Sequence, residues 1–161
     1  MDLFQKVLPW MRQTKTFINY DTGRERLLLK DLCARLPYGV KIRVNDKIET
    51  VEGINILDNI VEFGTYMACD IDEVKPYLLP LSSMTEEQFV ELKEYTELLY
   101  EHNTLELVEW SNTCKTLEFW LEEVPANVVI KVFDWLNKNH FDYRGLIEKG
   151  FAIDATGLGI Y

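Results

Sequence analysis

Two hydrophobic periodicities divide this chain and limit its fold. Between Val40 and Leu79 apolar residues alternate with polar ones, which is typical of half-buried β-strands, whereas before and after this region they recur every three or four residues, which is typical of amphipathic helices. Together the two patterns indicate an α+β fold. We predict a small antiparallel β-sheet that is preceded by one helix, is followed by a mainly helical C-terminal half, and could close into a barrel.

The helix and the strands of the first half follow from this spacing. The helix is predicted over 25–36, where the helical pattern stops at Pro37. The predicted strands, the first two joined by the turn Asn45-Asp46, are 40–44, 47–51, 54–57, 60–63 with an extension at 66–68, and 74–79. Gly53 is expected to break the second run. Pro76 limits the last strand to a sheet edge or to the strand's beginning, because proline cannot donate to a ladder.

The C-terminal half begins with a well-marked helix. Thr85 is the predicted N-cap, and Gln88 stands three residues later, as in a capping box. Two more helices are predicted over 115–123 and 126–139. A single turn at 146–149 precedes the rest of the chain.

The length of 161 residues fits one domain, for which folding removes roughly 70% of the surface of the unfolded chain. No linker rich in Pro, Gly or Ser interrupts the sequence. We therefore predict a single domain over 1–161, with one helix and the sheet in 25–84, mainly helices in 85–150, and a tail in 151–161, of which 155–161 is loop-like.

Charge is distributed unevenly along the chain. Residues 1–50 hold ten Lys/Arg and six Asp/Glu, whereas the remaining residues hold seven and 21. The acidic part repels polyanions, so nucleic-acid binding is not favoured. The same acidic charge in the helical half would complement a basic partner.

The cysteines and the hydropathy pattern indicate the compartment. Cys33, Cys69 and Cys114 are an odd number without C-x-x-C spacing, which favours neither a disulfide framework nor a zinc site. No run of about 18 apolar residues and no secretory leader pattern are found. We expect a protein of the cytoplasm that does not enter a membrane.

The sequence holds no motif for nucleophilic catalysis or phosphate binding, so we favour a protein that is not an enzyme and needs neither a cofactor nor a metal. His102 and His140 stand at predicted helix ends, where the dipole favours a cationic ring. Asp70, Asp72 and Glu73 are acidic neighbours without the ligand series of a calcium loop.

Two groups of residues are candidates for binding. Aromatic residues in predicted turns or beside prolines would form a partner contact, since Trp and Tyr are enriched at hot spots; they are Trp10, Tyr38, Tyr77, Tyr143 and Tyr161. Three arginines of the basic first third could bind the phosphate of a small ligand such as a nucleotide; they are Arg24, Arg26 and Arg35.

Three stretches, KDLCARLPYGVKI at 30–42, VKPYLLPLSSMTEE at 74–87 and HFDYRGLIEKGFAIDATGLGIY at 140–161, together carry a resemblance. The chain resembles a family of uncharacterised proteins of Bacteroides-type gut bacteria and of their phages and prophages. The resemblance covers most of the chain and implies a small intracellular accessory protein, without a role for any residue.

Three hypotheses about function remain open at this point. The leading one is a small non-enzymatic binding protein of phage or prophage type that acts through protein contacts on a host component, and homo-oligomers are compatible with it. The second is a protein that binds or sequesters a small ligand such as a nucleotide. The third is an enzyme whose site is assembled in space from Asp70, Asp72, His102 or His140.

Overall fold

The computed structural model describes residues 23–96 and 126–161. These ranges contain three α-helices, α1 (Arg24–Arg35), α2 (Glu86–Tyr95) and α3 (Ala126–Lys138). They also contain six strands: β1 (Lys41–Val44), β2 (Lys47–Asn55), β3 (Ile60–Phe63), β4 (Met67–Asp70), β5 (Lys75–Leu78) and β6 (Ile153–Asp154). The predicted α+β class is confirmed.

The strands form one mixed sheet in the order β4-β3-β2-β1-β5-β6. β1 to β4 make an antiparallel meander, β5 pairs antiparallel with β1, and β6 pairs parallel with β5. After β4 the chain returns to the far side of β1, so β4 and β6 become opposite ends of the sheet. The sheet is therefore open, and the prediction that it could close into a barrel is wrong.

Two local features set the register of the meander. Asn45 and Asp46 both have left-handed φ, 46° and 62°, as a two-residue hairpin turn requires, and they join Val44 to Lys47. β2 continues past Gly53 because a register shift between Val51 and Gly53 forms a bulge. The prediction that Gly53 ends one strand before another begins is therefore wrong.

Helix α1 covers one face of the meander. Leu28 and Leu32 are fully buried in one cluster with apolar residues of the strands and of the turn after β4: Val40, Ile42, Val44, Val51, Val61, Phe63, Ile71 and Val74. Because side chains alternate between the two faces of a strand, the opposite face presents Arg43, Glu52 and Glu62, which are exposed.

The described residues belong to two compact units: 81–96 and 126–135 lie in one, and 23–80 and 136–161 lie in the other. In the first unit α2 begins with the predicted capping box, in which Thr85 and Gln88 exchange hydrogen bonds of 3.2 and 2.9 Å. That the chain is a single domain over 1–161 stays a prediction.

The second unit contains the sheet, α1 and the last part of the chain. Part of the predicted tail is a strand, since β6 pairs with Tyr77 and Leu78, and the Ala155 N–H donates to the Leu78 carbonyl at 2.8 Å. Residues 155–161, which are predicted as a loop, contain no helix or strand, and β6 directly precedes them. Tertiary pairing forms β6 from two residues that show no alternation of their own.

Not all of the predicted helical half can be compared with the structure. α2 and α3 are described, 139–150 forms turns and a bridge, and the helix predicted over 115–123 lies outside the described residues. None of the described helices has the length and apolar character that a membrane crossing requires.

Candidate functional site

A buried ion pair joins the end of α1 to the chain after α3. Asp31 and Arg35 are one helical turn apart, and the Arg35 guanidinium donates to both Asp31 carboxylate oxygens, at 2.8 and 3.0 Å. Both side chains are 0% exposed. The same guanidinium donates to the Phe141 carbonyl at 2.8 Å. The fully buried guanidinium therefore links the end of α1 to the chain after α3.

Arg144, Tyr143 and Asn137 make further polar contacts beside this ion pair. Arg144 Nε lies 3.2 Å from Asp31 Oδ1 without hydrogen-bond geometry, and Arg144 Nη2 donates to the Tyr143 hydroxyl at 2.8 Å. That hydroxyl donates in turn to Asn137 Oδ1 at 3.0 Å. The Arg144 guanidinium also lies 4.7 Å from the centre of the Tyr143 ring, as in a cation–π contact.

His140 ends α3 in a left-handed conformation, with φ of 59°. The backbone N–H of His140 donates to the Asn137 carbonyl, and the backbone N–H of Phe141 donates to the Leu136 carbonyl at 2.9 Å. This is the Schellman pattern of a helix end. Burial is the main cause that lowers the pKa of His140 to about 4, and the Arg35 charge lowers it further. The ring is therefore neutral at neutral pH, not the cation expected at a helix end.

Tyr161 is the last member of a group that we call the buried cluster: Asp31, Arg35, Tyr77, His140, Tyr143, Arg144 and Tyr161. Its ring stacks on the His140 ring with 3.8 Å between centroids and 13° between planes. Its hydroxyl accepts from the Lys41 backbone N–H at 3.0 Å and donates to the Tyr77 carbonyl at 2.9 Å, so it bridges β1 and β5. Burial of this hydroxyl raises the pKa of Tyr161 to about 12.

The structure does not assemble the three predicted ligand arginines into a common site. Arg35 is held as described, Arg24 donates to the Val74 carbonyl at 3.2 Å, and Arg26 is exposed.

The predicted contact aromatics differ in exposure. Tyr77 is buried, Tyr38 and Tyr143 are half-buried, and Tyr161 is 45% exposed although its hydroxyl lies within the sheet. Trp10 lies outside the described residues.

The candidate catalytic residues that the structure describes, Asp70, Asp72 and His140, are likewise not gathered together. Arg35 and Lys41, and neither Asp70 nor Asp72, are the charges that shift the pKa of His140. Asp70 and Asp72 instead raise the pKa of Glu25, chiefly through a hydrogen bond between the Glu25 and Asp72 carboxyl groups. Over 23–96 and 126–161 no group of three or more His, Cys, Asp or Glu could hold a metal ion. His102 lies outside these ranges.

A different feature stands out on the surface of the second unit. Residues 48–73, which run from β2 to the turn after β4, contain seven acidic residues and no Lys, Arg or His. The acidic residues are Glu49, Glu52, Asp58, Glu62, Asp70, Asp72 and Glu73, and all except the half-buried Glu49 are exposed. We call the exposed residues of 48–73 the acidic meander surface. The sequence-based prediction does not include this surface, because it considers charge over residues 1–50 and over the rest of the chain and not over short windows.

Apolar side chains are exposed on the same segment. They make up five of the ten large hydrophobic residues that are exposed in the described part of the chain: Ile48, Ile56, Leu57, Tyr66 and Met67. Leu57 is 93% exposed and Tyr66 is 100% exposed, in the loops before and after β3. Tyr66 also has a left-handed φ of 64°, which for a bulky residue costs of the order of 1–2 kcal/mol. A fully exposed side chain does not offset this cost by burial.

No protein-family model, no curated protein and no solved structure matches this chain. The resemblance drawn from the three sequence stretches therefore stays a prediction. Those stretches nevertheless meet in the buried cluster, since they supply Asp31 and Arg35, Tyr77, and His140 with Tyr161.

Proposed function

We propose that this protein is a non-enzymatic binding protein that engages a cationic protein partner through the acidic meander surface. The observation that carries the proposal is the coincidence, within residues 48–73, of seven acidic residues, no basic residue and five exposed apolar side chains. Acidic charge would increase the rate of encounter with a basic partner, and the apolar groups would supply contact area once the partner is bound.

The exposure of the two loops supports a role outside the fold. Leu57 and Tyr66 are almost entirely in solvent, so neither side chain contributes burial to the core. Single exposed apolar residues are common on protein surfaces, but five of them within one small antiparallel meander support the proposed contact surface. Arg43 and Lys47 bound this surface at the β1 side, where the charge changes sign.

The buried cluster supports the non-enzymatic part of the proposal. The groups best suited to chemistry, Arg35 and the Tyr161 hydroxyl, form hydrogen bonds that hold separate parts of the chain together. His140 stacks on Tyr161 at a helix end. These side chains have a structural purpose that accounts for their polarity without a substrate.

The proposal can be tested with a labelled probe peptide of the sequence Lys-Val-Arg-Val-Lys-Val-Lys, which is cationic and favours extended structure. Fluorescence anisotropy should show that the full chain binds this heptapeptide, and that binding weakens from about 0.05 M to about 0.5 M salt, because salt screens exposed charges. Absence of binding at low salt would contradict the proposal.

A charge-neutral variant identifies the surface. Glu62→Gln/Asp70→Asn should weaken binding of the heptapeptide by about tenfold, since each lost charge pair is worth up to about 1 kcal/mol. The matched control is Glu148→Gln/Asp154→Asn, which removes two exposed carboxylates of the same unit outside residues 48–73 and should bind like the natural protein. Equal loss in both variants would show that only net charge matters.

A further inference from the structure

The outer end of the sheet has backbone groups that no described strand pairs. β4 is the last strand in the sheet order, next to β3 only. The Ile71 N–H donates to the Asn59 carbonyl at 2.9 Å, one position beyond the pair Ile60↔Asp70. Backbone groups along a strand of an antiparallel pair point alternately toward the partner strand and away from it. Cys69, two residues before Ile71, therefore directs its N–H and C=O toward β3. Ala68 directs its N–H and C=O away from the sheet.

The side chains of β4 differ between the two faces. On one face Met67 and Cys69 stand opposite the buried residues Phe63 and Val61. On the other face Ala68 stands opposite Glu62, and Asp70 is the next residue of β4 on that face. Both carboxylates are exposed. A strand added beside β4 would therefore meet apolar side chains on one face and carboxylates on the other.

We infer that β4 accepts an extended segment of the cationic partner as an additional strand, in which Lys or Arg alternates with apolar residues. This inference rests on the proposed function and specifies how the partner binds. The backbone groups of Ala68 would pair with the added strand, its basic residues would face Glu62 and Asp70, and its apolar residues would continue the row of Met67 and Cys69.

Charge also decides between this occupant and a second copy of the chain. Open edges of natural sheets commonly carry charged residues that prevent uncontrolled pairing, and Asp70 is such a residue. Two β4 edges would bring Asp70 and Glu62 of both copies together, which opposes pairing between copies. An added strand with basic residues removes this repulsion, so the same charges that exclude a second copy select a cationic segment.

The test uses the full chain with two N-methylated isomers of the same heptapeptide. One isomer carries N-methyl groups on two of the three valines, and the other carries them on the two internal basic residues. Net charge is equal in both, but in an added strand only one of the two sets of amides points toward β4. We expect one isomer to bind at least about tenfold more weakly than the unmethylated peptide and the other to bind within about twofold of it.

Equal binding by the two isomers would overturn strand addition, whether both bind as tightly as the unmethylated peptide or both bind more weakly. If both bind as well as the unmethylated peptide, the acidic meander surface still binds a cationic probe and the proposed function stands. If the unmethylated peptide itself does not bind, this result contradicts the proposed function as well as strand addition.

A protein variant gives an independent readout. Ala68→Pro removes the N–H that points away from β3, which a sheet edge tolerates, and should weaken peptide binding by about tenfold. Ala68→Ser keeps this N–H and should bind like the natural protein. Circular dichroism of each variant verifies the fold, and unchanged binding by folded Ala68→Pro would contradict the inference.

Discussion

The Tyr161 hydroxyl accepts a hydrogen bond of 3.0 Å from the backbone N–H of Lys41. Direct pairing of β1 with β5 is confined to Arg43↔Lys75 and Ile42↔Pro76, so the phenol stands at the next position along the two strands. The same hydroxyl donates a hydrogen bond to the Tyr77 carbonyl at 2.9 Å. A side chain from the last part of the chain thus extends the ladder between two strands, which explains why a tyrosine in an expected tail is anchored.

The first prediction concerns this bridge. Tyr161→Phe keeps the ring that stacks on His140 but leaves the Lys41 N–H and the Tyr77 carbonyl without the hydroxyl. We expect the free energy of unfolding to fall by about 1–3 kcal/mol, because a partly buried backbone group loses its partner. Urea denaturation measures the change. Tyr66→Phe is the matched control, since Tyr66 is fully exposed and should change stability by less than about 0.5 kcal/mol.

The second prediction concerns the buried ion pair. Asp31→Ala leaves the fully buried Arg35 guanidinium without its carboxylate, and we expect a loss of about 3–5 kcal/mol in the free energy of unfolding. The double variant Asp31→Ala/Arg35→Met removes the uncompensated charge and should be more stable than Asp31→Ala alone. Chemical denaturation of the four proteins of this cycle provides the coupling energy. A double variant less stable than the single one would show that Arg35 stabilises the fold independently of Asp31.

The third prediction is a pH dependence from His140. Its pKa is lowered to about 4 in the folded protein, from an ordinary value of 6.5, mainly by burial. The unfolded chain therefore takes up the proton first as pH falls. The contribution of the neutral ring to stability is complete above about pH 6.5 and is lost between about pH 6.5 and 4, with a total of up to about 3 kcal/mol.

The variant His140→Asn isolates this contribution, because Asn tolerates the left-handed φ at this position and does not titrate. The free energy of unfolding of both proteins should be measured at several pH values over this range. The natural protein should lose more stability than the variant as pH falls. Parallel losses in the two proteins would assign the acid sensitivity to other groups.

The fourth prediction concerns the start of α2. Thr85→Ala removes the side-chain oxygen that accepts from the Gln88 N–H at 3.2 Å. N-cap substitutions of this kind cost about 1 kcal/mol, so a small decrease in thermal stability is expected. Thr85→Ser keeps the hydroxyl and serves as the control. If both variants lose the same stability, the capping bond is not the cause.

The parts of the fold that were predictable from the sequence depend on local interactions. The helix ending near Arg35, the turn at Asn45-Asp46 and the capping box at Thr85 follow from side-chain spacing and turn chemistry, and the structure confirms them. The bulge at Gly53 is not predictable from local sequence, because a glycine can either end a strand or continue it through a register shift. Only the pairing with β3 decides between the two.

The candidate sites were predictable only in part, for the same physical reason. Tyr143 and Tyr161 are predicted as partner-contact aromatics, but sequence order does not show that one packs with Arg144 and the other with His140. Arg35 is predicted as a phosphate ligand only because it belongs to the basic first third, since spacing does not show that Asp31, one helical turn away, holds it in a buried pair. Burial, which distinguishes these cases, is a tertiary property.

Amide hydrogen exchange at Ala68 tests the central claim most directly. Its N–H points away from β3 and should exchange quickly in the free protein, whereas the neighbouring Cys69 N–H points toward β3 and should already be protected. With saturating heptapeptide, we expect exchange at Ala68 to slow by about tenfold or more and exchange at Cys69 to change little. Bound peptide that leaves Ala68 exchange unchanged would contradict the account.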